Sequence, residues 1–345
     1  MMQHTWVRQS FTAAALLAGA SLTTMAPALA QEAKPVELRY AAGAPQRSVW
    51  GMQVERFARA VEEESKGTVK IQPYLGGQLG SDVEIIQQVA RGRIDMAGIP
   101  VPFASLLAPE LLLVSLPTYF RSAEELDCVM DGGLMAHIEK RMAGKGLKVI
   151  SWGESGAMDI IGKRAYASPA DLVGTKAATS GSRMGVLMWE ALNANPATVQ
   201  ATDTAAAFQT GLIDVGATVA VFYVASGMNK VAPVLTRADL FFVPSFNLMN
   251  RAAWDKLSPD QQAAIERARQ RTGVVQQRRE VREFQAQMRQ AHVTGGGQLV
   301  EIGASGRDAF RRVMEPVWPQ MVATAGPEGA NFFAVMDAGR KACAK

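Results

Sequence analysis

The sequence predicts an α/β protein built as two successive lobes. Apolar runs of strand length alternate with amphipathic helical segments, which is the pattern of layered α/β structure. The 345-residue chain is longer than the roughly 250–300 residues at which a single core stops growing. The alternation also starts afresh beyond Gly153.

The first thirty residues stand apart from this pattern. Arg8 precedes an apolar stretch from Phe11 to Leu22, and Ala28-Leu29-Ala30 gives a small-x-small cleavage pattern before Gln31. The stretch is shorter than the about 20 apolar residues that a membrane span needs. Export with cleavage after Ala30 is the expectation; an uncleaved anchor is the alternative. No Cys follows the run to carry a lipid.

Val36–Ala42 reads as a strand that enters the Gly43–Ser48 loop. A helix follows to about Ser65, with Trp50, Val54, Phe57, Ala58 and Val61 at helical spacing. Val69–Pro73 is the next strand, and Gly76–Gly80 a tight turn. Ser81 caps a helix, with Glu84 at the capping-box position, that stops at Gly92. Ile94–Ile99 is a third, buried strand, so this half predicts a parallel sheet with right-handed crossovers. Ser122 opens another helix, with Glu125 at the box position, which leads to the strand Leu147–Trp152.

In the second half, Ser168-Pro169-Ala170-Asp171 opens a helical turn with Pro at its first position. Strand Thr175–Thr179, a helix from about Ser182 to Asn193, a strand near Thr198–Ala201 and a helix ending at Gly211 follow. The clearest element begins at Ser258-Pro259-Asp260-Gln261, which supplies a cap, a first-position Pro, a first-turn acid and a box Gln. Its helical period continues to about His292, before Gly295-Gly296-Gly297. Roughly 35 residues at 1.5 Å each span about 50 Å, more than one small lobe. Its seven arginines are interleaved with Asp260, Glu266, Glu280 and Glu283, which reads as a solvated face. Gly273, mid-helix, reads as a residue permitting close packing, with a bend as the alternative.

Composition excludes several classes. The apolar share of 48% and charged share of 20% are those of an ordinary globular protein. The net charge is +4, Arg8 leaves with the leader, and no basic stripe interleaved with aromatics marks a nucleic-acid partner. His137 and His292, the histidines beyond the leader, lie among charged helical neighbours and read as surface residues. No Cys/His spacing suits zinc, so neither metal nor cofactor is expected. Trp152-Gly153-Glu154-Ser155-Gly156 lacks the spacing of a nucleophile elbow, and Gly76–Gly80 lacks the Lys-Ser/Thr of a P-loop. Glu124 and Glu125 fit the first turn of their helix and need no catalytic role. The lone cysteines Cys128 and Cys343 invite a disulfide in an oxidising compartment; two unpaired thiols remain the alternative.

Four stretches carry a family pattern: GGQLGSDVEIIQQVARGRIDMAG (76–98), SPADLVGTKAA (168–178), AFQTGLIDVGA (207–217) and NRAAWDKLSPDQQAAIERA (250–268). In this order the chain resembles the DctP-type solute-binding proteins of tripartite ATP-independent periplasmic (TRAP) transporters over essentially its length beyond the leader. The resemblance implies a two-lobed periplasmic-binding-protein (Venus-flytrap) α/β fold, with hinge strands and one long helix crossing both lobes. Lobe I would be 31–153 plus about 245–285, and lobe II 154–244 plus about 286–345. It also implies a periplasmic monomer, not an enzyme, that closes on a small solute and hands it to a membrane permease. The rivals are a ligand-sensing subunit for a membrane receptor and a secreted enzyme on a similar scaffold.

The departures from the family bear on the ligand. Members that bind carboxylates usually carry an arginine where the pattern from Asp171 ends in Ala178, and often a second where Gly156-Ala157-Met158 stands here. Ala217-Thr218 replaces a usual Glu-Asn. A bidentate guanidinium is a main source of orientation for a carboxylate. Its loss points to a neutral or aromatic solute unless Arg47 or Arg183 stands in. Loops at the C-terminal ends of strands supply the candidate ligand contacts. These are Arg47, Trp50, Pro102, Phe103, Trp152, Glu154 and Ser155, then Met158, Ala178, Thr179, Arg183, Thr218 and Phe222, and finally Phe246 and Asn247.

Overall fold

The computed structural model describes residues 34–200 and 203–344. The expected leader and Ala201, the last residue of the expected strand near Thr198, lie outside them. The first half runs β1 (Val36–Ala42), α1 (Val49–Glu64), β2 (Val69–Tyr74), α2 (Asp82–Ala90), β3 (Met96–Pro100), α3 (Val101–Ala104), α4 (Ala123–Val129) and α5 (Met135–Ala143). Next come β4 (Leu147–Gly162), β5 (Lys176–Thr179), α6 (Arg183–Ala191), β6 (Asn195–Thr198), α7 (Thr204–Thr210), β7 (Val215–Val219) and α8 (Ala220–Ala225). The chain closes with β8 (Val234–Arg237), β9 (Phe242–Asn250), α9 (Arg251–Asp255), α10 (Pro259–Thr272), α11 (Val274–Thr294), β10 (Gln298–Glu301), α12 (Gly303–Met314), α13 (Trp318–Ala323) and α14 (Gly329–Cys343).

Two half-sheets meet in one strand. β1 lies between β2 and β3, parallel to both, and β9 joins β3 to β4 antiparallel. The first eleven-residue stretch of β4, Leu147–Ala157, pairs with β9, and Met158–Gly162 pairs with β7 in the second lobe. There β7, β5 and β6 are parallel neighbours, while β8 pairs with the end of β4 and with β10. The expected strand Leu147–Trp152 is thus only the start of a 16-residue strand. Gly153, beyond which the alternation reads as starting afresh, sits inside it. Gly156 has φ +129° at an irregularity in the β4–β9 register, so it marks a bulge and not an end.

The helix signals hold at their starts. Ser81 with Glu84 and Ser258 with Gln261 form full capping boxes. Ser122 accepts from the Glu125 N–H, but the Glu125 carboxylate turns back to the Arg121 N–H instead. The long helix is divided: Gly273, at φ 65° and ψ 81°, ends α10 and starts α11. A Cβ there would meet ordinary contacts, so the glycine serves the left-handed backbone of a break and not close packing. Helical periodicity persists through such a break, which is why the pattern reads as one helix.

Three of the four arginines of α11 are turned inward; Arg279 alone is exposed. Arg278 is 1% exposed; its Nη2 donates to Asp131 at 2.6 Å, and its guanidinium stacks on Trp152 at 4.0 Å. Arg282 bonds both oxygens of Asp127 and the Glu154 carboxylate, at 2.7–2.9 Å. Arg289 holds the buried Asp159 at 2.7–2.8 Å. Between them, the Gln285 amide meets the Ala157 N–H and C=O at 3.0 and 3.2 Å. Helical spacing puts these four side chains on one stripe, and β4 runs beneath it. His292, at the end of the same helix, is also buried, edge-on to Tyr223, with a ring nitrogen 3.2 Å from the Gln298 C=O. His137 is half-buried, edge-on to Phe332.

The C-terminal helices close the molecule. α14 packs on α4, and α12 and α13 on α6. Phe310, Met314, Phe332 and Met336 share a core with Leu126, Val129 and Trp189. Cys128 and Cys343 are joined by a disulfide, tying α4 to the end of α14.

Two outcomes follow from the β4–α11 contact. Burial, opposed by Arg289, pushes the Asp159 carboxyl up to about 7. Folding should therefore take up a proton between the ordinary aspartate value and about 7, and stability should fall as pH rises across that window. Denaturant midpoints of wild type and Asp159→Asn at pH 4 to 8 test this, because the variant should lose that slope. Gly156→Ala should cost about 1–3 kcal/mol, since the added Cβ needs a strained φ and would lie 2.6 Å from the Gln285 amide. Urea unfolding reads that loss.

Candidate functional site

A cleft of about 1070 Å³ opens between the lobes, walled by β1, β3, β4 and β9 ends on one side and by β5, β7, α6 and α8 on the other. Its floor is a hydrogen-bonded chain across three strands. The Tyr40 hydroxyl of β1 donates to Asn247 of β9, whose Nδ2 donates to Ser151 of β4 at 2.8 Å. Gly98 permits this, because a Cβ there would lie 2.5 Å from the Tyr40 hydroxyl. Trp50 is pinned from the start of α1, its indole N–H donating to the Glu154 C=O at 2.9 Å.

The opposite wall is apolar. Ser182 caps α6, which places Met184 and Met188 one turn apart on the cleft face beside Met158 and Phe222. Trp189 closes this wall, with its N–H on the Ala178 C=O at 2.9 Å. Methionine and aromatic surface of this kind adapts to apolar and aromatic bodies.

Of the residues expected at the ligand, Trp50, Pro102, Phe103, Glu154, Ser155, Met158, Ala178, Thr179, Thr218, Phe222 and Asn247 stand at the cleft wall. Four stand elsewhere. Trp152 is buried under Arg278, with its N–H on Asp131 at 2.7 Å, and Phe246 is core at 1% exposure. Both fail on strand parity: Ser151 and Gly153, or Ser245 and Asn247, face the cleft, so the residue between faces away. Arg47 is exposed outside the lining, and the Arg183 side chain is 61% exposed, 3.7 Å from Glu190. Neither lines the cleft. The sequence reading missed Tyr40, Asp82, Ser151, Met184, Met188 and Trp189. The methionines, four apart on a capped helix, carried a signal; Tyr40 looked like an ordinary strand core residue.

The charges of the lining are few. Among the described lining residues the acids are Asp82 and Glu154, and the only cation is Arg269. Arg269 is engaged on its own helix, Nε donating to Glu266 at 2.8 Å. Glu154 is 2% exposed; burial pushes its carboxyl above the usual range while the Arg282 guanidinium draws it down. Asp82 accepts the Gly43 N–H at 3.2 Å, and burial pushes its carboxyl up. Among the described residues, no group of His, Cys, Asp and Glu is arranged to hold a metal, and no helix is long and apolar enough to cross a membrane.

The sequence profile of the bacterial extracellular solute-binding proteins, family 7, matches residues 40–325. The 2,3-diketo-L-gulonate-binding periplasmic protein of Escherichia coli is 26% identical over 330 residues, covering 95% of this chain and 98% of its own. A TRAP periplasmic solute-binding protein from Ochrobactrum anthropi, whose own C-terminus is bound in its ligand pocket, superposes with a TM-score of 0.82 at 26% identity. The overlap covers 89% of this chain and 97% of that one. A second, from Roseobacter denitrificans with bound β-D-glucuronate, gives 0.79 at 24% identity, covering 88% and 99%.

Replacing Arg282 by Met would leave Asp127 and the buried Glu154 without their shared cation. The expected cost is about 3–5 kcal/mol, that of breaking a buried pair by removing one partner. Equilibrium unfolding in urea measures it.

Proposed function

Because the chain belongs to the bacterial extracellular solute-binding proteins of family 7, we propose that its cleft takes an apolar or aromatic solute that carries no carboxylate. As a member of that family it is not an enzyme; it binds a small organic molecule outside the cytoplasmic membrane and delivers it to a TRAP-type permease. The finer parts are our reading. Residues 1–30 act as a cleaved export leader, the protein works as a monomer, and the lobes divide near residues 153, 245 and 285. Trp50, Phe103, Met158, Ala178, Thr179, Thr218, Phe222 and Asn247 touch the solute.

The observation that carries the ligand reading is the absence of a free cation from the described cleft wall. By the family resemblance, Met158 and Ala178 stand where acid-binding members often or usually carry arginines, and the single guanidinium of the described lining, Arg269, already serves Glu266. A carboxylate entering this cleft would lose its water without gaining a charged partner, a cost that family members meet with arginine. A neutral ring or alkyl body gains from the same methionine and aromatic wall.

The test is a thermal-shift screen of the protein lacking residues 1–30. A ligand at 100 times its Kd adds about 2.7 kcal/mol, so a bound solute is visible as a raised melting temperature. D-glucuronate and succinate should leave the melting temperature unchanged, while neutral aromatic solutes should raise it. A shift by either acid alone would overturn the ligand reading and leave solute binding in place.

A further inference from the structure

The charge left over in the cleft is negative. Asp82 sits in the first turn of α2, lines the cleft, and is half-buried. Its contact with the Gly43 N–H is snug: a Cβ on Gly43 would lie 2.7–2.8 Å from both carboxylate oxygens. Among the described residues no Lys, Arg or His pairs with it; the partner it has is that one backbone N–H. Its position matches the start of a helix, whose dipole favours an acid there. The dipole does not explain why a carboxylate without a side-chain cation stands half-buried in the cleft wall, where burial disfavours its charge.

The two cleft acids differ in this respect. Glu154 has Arg282 on its Oε2, so its charge is compensated within the protein. Asp82 is not, and a carboxylate accepts but does not donate. The complementary ligand group is therefore a donor: a hydroxyl, an amide N–H or an ammonium. Phe103, Pro102 and Leu106 line the same first-lobe wall, and Phe222 faces the cleft from α8. An apolar or aromatic body held by these side chains would keep water from the bond and strengthen it.

We propose that Asp82 is the polar anchor of the cleft, a specificity-determining residue that accepts a hydrogen bond from a donor group on an apolar or aromatic solute. This rests on the reading of the cleft given above. It turns the ligand's polar end from an acid, which must be met by arginine, into a donor, which is met by a carboxylate.

Three probes share one ring and differ in that end: benzoate, benzamide and benzylammonium. Each is titrated by calorimetry into the protein lacking residues 1–30, and into Asp82→Asn and Asp82→Ser. Melting curves without probe show that the variants are folded. Benzamide or benzylammonium should bind the wild type and bind both variants on the order of tenfold more weakly, as expected for a hydrogen bond to a charged group. Benzoate should not bind. Equal binding of benzamide and benzylammonium to wild type and both variants would overturn the anchor role and leave standing the reading of a cleft without a free cation. Binding of benzoate in preference to the other two would overturn both, and silence from all three probes would overturn the anchor role.

Discussion

The structure depends on the contact between β4 and α11, because these two elements carry the chain from one half-sheet to the other and are bonded to each other along their length. β4 pairs with β9 in the first lobe and with β7 and β8 in the second. α11 lays Arg278, Arg282, Gln285 and Arg289 against it and against Asp127 and Asp131. Taking so many charges from water is costly, and an ion pair recovers that cost only with good geometry. Removing Arg282 or Arg289 leaves a buried carboxylate, so the seam tolerates little rearrangement. Apolar packing would hold the two elements together without fixing their register. The arginine fork, with its directed donors, fixes which residue of α11 lies over which residue of β4.

That seam has consequences at the cleft. Glu154 is turned to Arg282, and its C=O takes the Trp50 indole, so the start of α1 is referenced to the same strand. Asp159, next to Met158, is held by Arg289 on the other side of the strand. Arg278, Arg282 and Arg289 are thereby committed to structure. The cleft wall that remains is aromatic, methionine-rich and hydroxylated, and among its described residues Asp82 is the one carboxylate lacking a side-chain cation. The family's binding scaffold is present, and the proposed change lies in the charged groups of its cleft.

Much of the architecture was legible in the sequence, since caps and periodicity are local. Ser81, Ser168 and Ser258 announce their helices through residues three positions on. What failed was non-local. Helical period continues across Gly273 because a single left-handed residue shifts the phase only slightly, so the break was invisible to a pattern count. Gly153 resembles a strand end because glycine marks both strand ends and irregular points within a strand. The arginines of α11 read as solvated because the acids they meet on β4, α4 and the turn after it lie 128–155 residues away. At the cleft the strands were placed correctly, but parity was not. Asn247 and Phe246 are neighbours in sequence and face opposite sides of the sheet.

The most direct test of the central claim, that this is a solute-binding protein whose cleft has given up carboxylates, is to let the protein choose its own ligand. Incubating it with a complex extract of small metabolites and weighing it by native mass spectrometry gives the mass of whatever stays bound. Releasing that molecule and treating it with a carboxyl-specific reagent then reports its polar end. The account predicts an adduct with an apolar or aromatic body that does not react. A sugar acid or dicarboxylate recovered as the dominant adduct would contradict it.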